Sequence, residues 1–312
     1  MKASVIVIDY KRKKYILDAL KSIKNQKGID LNDIEVIVVK YYQDEKIDNY
    51  IKENFPNHKI INLDPNDPNH YVGRNYSEGI KVSSNNLIFL LDDDDMFTEN
   101  KISRIFEIVK NIKDDEYMIA HRLIPIDING NIIKENESII KKIKEKIFDL
   151  VSVGGTIGII FHTKNKDELA EYLRNIYFVV DNSLICYFKS KGKIIKIKDG
   201  LTYYRRHNLS ASISFSKDSL EKHLKDFIYI YERLKCKGAL DYIIGLKMEL
   251  NIVYNTNYKI SIKEYIQYLT ILDSNIIKRI THTLLYLFFR NKLRKYYLNR
   301  YNYIDLEIND HF

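Results

Sequence analysis

A chain of 312 residues with 45% hydrophobic and 29% charged residues can bury one large domain, or a domain with a substantial appendage, and reads as a soluble protein. Its net charge of +8 suits an anionic partner such as a nucleotide or a lipid headgroup, but no nucleic-acid-binding motif accompanies the charge. With 11 Gly and 4 Pro it has little material for flexible linkers, and Cys186 and Cys236 have neither zinc nor redox spacing, so two ordinary thiols in a reducing compartment are expected.

The apolar run after Met1 is too short for a signal peptide, and Leu284–Phe289 is far short of a membrane span, so a cytoplasmic location is the default expectation. Ser4–Ile8 reads as a strand and 11–27 as an amphipathic helix carrying Tyr15, Ile16, Ala19, Leu20 and Ile23 at helical spacing. Glu35–Val39 and Lys59–Leu63 are further strands, separated by a short helix at Asp48–Asn54 that ends before Pro56. A turn-rich segment, 64–69, leads to a helix at Val72–Val82 and a fourth strand at Leu87–Leu91. Ile102, Ile105, Phe106, Val109 and Ile112 mark the next helix, followed by a strand at Tyr117–His121 and a hairpin at 124–133 around Asn129-Gly130. The charged stretch 141–146 reads as a solvated helix face, and the glycines Gly154, Gly155 and Gly158 signal close backbone approach, to a neighbouring helix or to a ligand. Strands follow at Ile194–Ile197 and Thr202–Arg205. The alternation predicts an α/β fold with a mainly parallel sheet flanked by helices over residues 1–215, and a helical C-terminal region over 216–312.

That last region carries 16 Lys/Arg against 11 Asp/Glu, and residues 276–300 hold seven Lys/Arg and no acid. Ile276, Ile277, Ile280, Leu284, Leu287 and Phe288 fall on one stripe. Such a segment either packs with a basic outer face or lies on an anionic membrane, which would place the protein peripherally at the inner membrane face. Self-association into a homo-oligomer is the other role open to this region.

The chemistry concentrates at Leu87–Phe97, where five apolar residues run into Asp92, Asp93, Asp94 and Asp95. Four adjacent carboxylates cannot be buried without compensation. Continued as an extended strand, the chain would put Asp92 and Asp94 on one face, half of an oxygen-donor site for Mg²⁺ or Mn²⁺. In a parallel α/β sheet the carboxyl ends of the strands are where ligands bind, and Asp92–Asp95 stand at such an end. No G-x-G-x-x-G or Walker lysine loop is present, which argues against dinucleotide and P-loop sites.

Four segments, in order, resemble the inverting family 2 glycosyltransferases of GT-A (Rossmann-like) fold. They are Ser4-Val5-Ile6-Val7-Ile8-Asp9-Tyr10-Lys11-Arg12, Val72-Gly73-Arg74-Asn75-Tyr76-Ser77-Glu78-Gly79-Ile80, Phe89–Asp95 with its D-x-D motif, and Tyr204-Arg205-Arg206-His207-Asn208-Leu209-Ser210-Ala211-Ser212. The resemblance implies a nucleoside-diphosphate-sugar donor, first of all a uridine diphosphate sugar, a Mn²⁺ or Mg²⁺ cofactor, and a glycan, glycolipid or glycoprotein acceptor, in a role such as polysaccharide biosynthesis. By the same resemblance Asp92 and Asp94 hold the metal, with His207 as a further ligand. Asp9, Tyr10, Arg12, Lys40, Arg74, Asp92, Asp93, Arg205 and Arg206 contact the nucleotide sugar. Asp181, in Phe178-Val179-Val180-Asp181-Asn182, is the base, with a helix cap as its ordinary alternative.

Two departures stand out. Ile8-Asp9 replaces the family's Pro-Thr, and Lys40 stands where a carboxylate usually reads the base, although an ammonium cannot accept a base N–H. Asp9 or Asp44 would then substitute, with Tyr41 or Tyr42 stacking on the base. Lys40 and Val180 also motivate the alternative of a catalytically impaired nucleotide-sugar or polyanion-binding protein. A sugar nucleotidyltransferase would need a glycine-rich loop after the first strand, and Asp9-Tyr10-Lys11-Arg12 contains no glycine.

Overall fold

Short runs of Val, Ile and Leu alternate with amphipathic segments through the first half of the chain, and they fold as parallel strands joined by helices. The structure, a computed structural model, describes residues 1–9, 14–67, 71–134, 155–207, 216–270 and 276–309. Tyr10, Arg12, the stretch 141–146, Gly154 and Asn208–Ser212 lie outside the described residues. By its contacts the chain divides into two units, Met1–Asn136 with Val151–Arg206, and Glu137–Leu150 with His207–Phe312.

In the first unit, β1 (Ala3–Asp9), β2 (Ile34–Lys40), β3 (Asn57–Asn62) and β4 (Leu87–Asp92) are linked by α1 (Ile16–Lys24), α2 (Glu45–Asn54) and α3 (Val72–Val82). β1 lies between β2 and β4, β3 flanks β2, and all these pairings are parallel. Every residue of β1 and β2 is buried, which is why both read as unbroken apolar runs rather than alternating ones. Gly79 of α3 permits close packing on the sheet: a Cβ there would stand 2.5 Å from Ile6 Cγ2.

The chain continues through β5 (Met96–Phe97), α4 (Lys101–Val109), β6 (Tyr117–Ile126), β7 (Ile159–His162), α5 (Lys166–Leu173), α6 (Val180–Lys191) and β8 (Lys193–Arg205). The sheet order is β3-β2-β1-β4-β7-β6-β8-β5. β7 runs antiparallel to β4 and β6, and β5 antiparallel to β8, so the sheet is parallel on one side and mixed on the other.

Several elements differ from the sequence expectation for local reasons. The two short strands at 194–197 and 202–205 are one strand of 13 residues, because register shifts against β6 carry the chain through the turn-like Asp199-Gly200. Gly200 is needed there, since a Cβ would meet Ile124 Cγ1 at 2.9 Å. α2 starts at Glu45 rather than Asp48, because the Asp44 carboxylate accepts hydrogen bonds from the Lys46 and Ile47 amides and caps it. The Asn129-Gly130 turn is present, with Gly130 at φ 88° donating to the Asp127 carbonyl, but its return arm is a single bridge, Ile126 to Ile132. Neither Cys186 nor Cys236 is a free thiol, correcting the expectation of two ordinary thiols. Sequence spacing identifies local metal and redox motifs and carries no information on long-range pairing.

The second unit is helical in its described residues: α7 (Lys217–Leu234), α8 (Lys237–Val253), α9 (Ile262–Leu269), α10 (Ile276–Phe288) and α11 (Arg290–Asn309). Leu240, Ile244, Met248 and Ile252 recur every four residues on α8 and pack with Tyr268, Tyr286, Leu293 and Tyr297. Ser216 caps α7, and Ser261 with Glu264 forms a capping box on α9.

Candidate active site

The carboxyl ends of β1, β2 and β4 are level in the sheet: Asp9 pairs in register with Lys40, and Ile8 with Asp92. Asp9 at the end of β1, with the described residues that follow β2 and β4, forms the candidate site. β4 stops at Asp92 because the chain turns there, the Asp95 amide donating to the Asp92 carbonyl at 3.3 Å. This corrects the extended-strand argument. The turn, and not side-chain alternation, gathers Asp92, Asp94 and Asp95 so that one oxygen of each lies within 4.8 Å of the others. Asp95 is thus a third member that alternation would have placed on the opposite face. Asp93 is fully buried and outside the group.

Three of these four carboxylates are almost wholly buried, so their charge needs local compensation. Tyr76 on α3 donates its hydroxyl to Asp92 Oδ1 at 2.6 Å. Burial, followed by the charge of Asp92, raises the Tyr76 pKa well above that of an ordinary phenol, so Tyr76 remains a donor at neutral pH. From the other side β5 pairs with β8, Met96 opposite Tyr203, and this pairing carries Arg205 to the turn. The Arg205 amide donates to Asp95 Oδ1 at 2.8 Å, its Nε to the Asp94 carbonyl at 3.0 Å, and its Nη1 to the Ile128 carbonyl at 2.9 Å. Its Nη2 pairs with Asp18 at 3.3 Å, and the guanidinium stacks 4.4 Å from the centre of the Tyr15 ring. Arg205 is 2% exposed. Its geometry is that of a brace on the acidic turn.

Beneath the turn lies a buried basic group. Lys101 Nζ donates to the Ile157 carbonyl at 3.0 Å and to Thr202 Oγ1 at 2.7 Å, and stands over the Phe97 ring. Burial pushes its pKa well below the usual ammonium value, and the charge of Asp95 partly opposes that shift. His121, next to Thr202, is likewise depressed, first by burial and then by Lys101.

The remaining expected residues take varied positions. Lys40 is fully buried, its ammonium donating to the Tyr42 carbonyl at 2.6 Å and pairing with Asp48 at 3.1 Å. Asp9, also fully buried, ends the neighbouring strand. Tyr41 is buried and hydrogen-bonded to Asn75 of α3. Arg74, in the first turn of α3, pairs with Asp67 at 2.5 Å. Asp181 is half-buried in the first turn of α6, two residues after Val179 at the cap position. Arg206 is exposed at the end of β8, and His207 begins the 207–312 segment of the second unit. Sequence reading missed Tyr76, Asp95 and Lys101 as site residues. Tyr76 lies inside the segment that resembles the family and Asp95 in the aspartate run itself, whereas a lysine at a helix start gives no signal of burial.

A parallel half-sheet with a clustered D-x-D carboxylate set at its carboxyl edge, and a mixed-sheet second half, are the features of a glycosyltransferase of GT-A fold. The family model described as Glycosyl transferase family 2 matches residues 4–171, and the chain belongs to that family. An uncharacterized glycosyltransferase of Nostoc sp. (strain PCC 7120) is 24% identical over 239 residues, covering 72% of this chain and 71% of that protein. Among solved structures, Staphylococcus aureus TarS residues 1–349 in complex with UDP-GlcNAc is similar at a TM-score of 0.55 and 18% identity, covering 90% of this chain and 82% of that one. The same TarS fragment in complex with UDP gives a TM-score of 0.50 at 17% identity, covering 99% and 88%.

Proposed function

We propose that this transferase is metal-dependent and inverting, and moves a sugar from a uridine diphosphate sugar to a hydroxyl of a glycan, glycolipid or glycoprotein acceptor. The observation that carries the reading is the convergence of Asp92, Asp94 and Asp95 at the carboxyl edge of the sheet. Their all-oxygen donor set fits a hard cation, so these three would hold Mn²⁺ or Mg²⁺. A cation there supplies positive charge beside the diphosphate leaving group. Tyr76 fixes the Asp92 carboxylate, and Arg205 fixes the turn.

Asp181 takes the proton from the acceptor hydroxyl as that oxygen attacks the anomeric carbon. Its half-buried place in the first turn of α6 supports this role. For the base, Asp44 is engaged in capping α2, which leaves Asp9, at the strand end beside Lys40, as the better carboxylate. Arg206, exposed at the end of β8, suits the diphosphate. The uridine assignment is supported by TarS, of the same fold, which is known with UDP-GlcNAc and with UDP.

The test is calorimetry with uridine, guanosine, cytidine and thymidine diphosphates, each with and without Mn²⁺. Uridine diphosphate should bind only with Mn²⁺, and Asp94→Ala should abolish that binding. Asp181→Asn should bind as wild type does while turnover falls about a hundredfold to ten-thousandfold. An Asp94→Ala enzyme that turns over at near wild-type rate would remove the metal assignment. A folded wild-type protein that binds none of the four would favour the non-catalytic, polyanion-binding alternative.

A further inference from the structure

Among the described residues, no helix is long and apolar enough to cross a membrane. The C-terminal helices nevertheless carry an apolar face that their own unit leaves uncovered. α10 buries Arg279, Thr283 and Tyr286 on its inner side. On its outer side Ile280, Leu284, Leu287 and Phe288 are exposed, at spacings of four, three and one, and Phe289 extends the patch beyond the helix end. Phe288 is 70% exposed. α11 repeats the division: Leu293 and Tyr297 are buried against the α8 core, while Tyr296 and Leu298 face out.

Packing within the unit does not require these outer residues, because the inner face alone supplies the contacts to Tyr268 and α8. A contiguous group of exposed Ile, Leu and Phe is therefore an unpaired interaction surface rather than part of a core. The charge around it selects the partner. Residues 276–300 hold seven Lys/Arg and no Asp or Glu. Arg290, Lys292, Arg294 and Lys295, all exposed, follow directly on the apolar patch.

We propose that the outer face of α10, with the basic start of α11, docks on an anionic lipid bilayer, its apolar residues entering the interface and its basic residues meeting the headgroups. A second copy of the chain fits less well, because pairing this face with itself would set two acid-free basic segments against each other. A neutral apolar protein groove would leave the basic residues unmatched. Interfacial helices combine these two attractions, apolar burial and a charge term that weakens with salt.

The experiment is co-sedimentation of the full chain with vesicles of phosphatidylcholine alone and of phosphatidylcholine mixed with phosphatidylglycerol, at low and high salt. The wild type should partition to the mixed vesicles at low salt, and at least about tenfold less to the neutral ones or at high salt. Leu284→Ser with Phe288→Ser should reduce partitioning by about tenfold or more. Arg294→Gln with Lys295→Gln should reduce it about fivefold per residue while leaving the apolar patch intact. All four positions are exposed, so both pairs should retain the far-UV spectrum and uridine diphosphate binding of the parent. Partitioning absent at low salt, or unchanged by both pairs of substitutions, would overturn the proposal. So would concentration-dependent self-association, seen by light scattering, that the Leu284/Phe288 pair abolishes while no vesicle binding is found.

Discussion

Arg205 offers the sharpest test of how the site is held together. Replacing it with Met keeps much of the aliphatic stem but removes the guanidinium that donates to the Asp94 and Ile128 carbonyls. Each carbonyl left without its donor costs about 1–3 kcal/mol. Loss of stacking on Tyr15 adds about 0.5–1 kcal/mol. The Asp18 pair adds at most about 1 kcal/mol, because Asp18 is 45% exposed and its charge is screened. The sum is a destabilisation of about 4 kcal/mol, a large share of the ~5–15 kcal/mol that holds a typical domain folded. Urea denaturation should show the midpoint fall accordingly, and Mn²⁺ binding to the surviving folded fraction should weaken because the acidic turn is no longer braced. The contrary result is equally definite. If Arg205→Met is as stable as wild type and loses only uridine diphosphate affinity, the guanidinium serves the donor phosphates, as the family resemblance implies, and the brace is the wrong description.

Two further perturbations separate other contributions. Tyr76→Phe removes the hydroxyl that holds Asp92 and should weaken Mn²⁺ affinity about tenfold to a hundredfold by calorimetry with little change in melting temperature; unchanged affinity would mean Asp92 is positioned by other groups. Glu35 tests acid stability at the opposite edge of the sheet. Burial alone would raise its pKa, but hydrogen bonds from Lys59, Ser4 and Ser84 outweigh that, and its folded pKa lies below the ordinary 4.5. A depressed carboxylate contributes stability that is fully present above about pH 4.5 and is lost as the pH falls toward the folded value. The stability gap between wild type and Glu35→Gln should therefore be constant near neutrality and shrink below pH 4.5, and a gap independent of pH down to acid unfolding would refute the assignment.

What the sequence disclosed and what it hid follow from the range of the interactions involved. β1 and β2 are fully buried parallel strands, and β4 is buried up to Asp92; such burial writes itself as consecutive Val, Ile and Leu. An isolated aspartate run would read as a solvated acidic loop; this one was legible because it ends a buried apolar strand, where four carboxylates need compensation. Its shape was not: whether the chain after Asp92 stays extended or turns depends on the turn hydrogen bond and on Arg205, which arrives from more than a hundred residues away. The Asp44 cap is local, its carboxylate accepting from amides two and three residues on, so the start of α2 at Glu45 rather than Asp48 was within reach of the sequence. Lys101 was hidden for another reason. A lysine in sequence is a surface residue by default, and only a carbonyl from 157 and a hydroxyl from 202 make its burial tolerable.

The pairing of β5 with β8 also sets an order of assembly. The bond from Arg205 to the Asp94 carbonyl closes a loop of 111 residues, whereas β1, β2, β3 and β4 pair within the first 92. On the ribosome the parallel half of the sheet can form early, but the acidic turn stays unbraced until the end of β8 has emerged. For that interval the nascent chain carries a cluster of carboxylates without its arginine. A fragment ending before residue 205 would resemble the family by sequence and fold much of its sheet, yet lack a finished site.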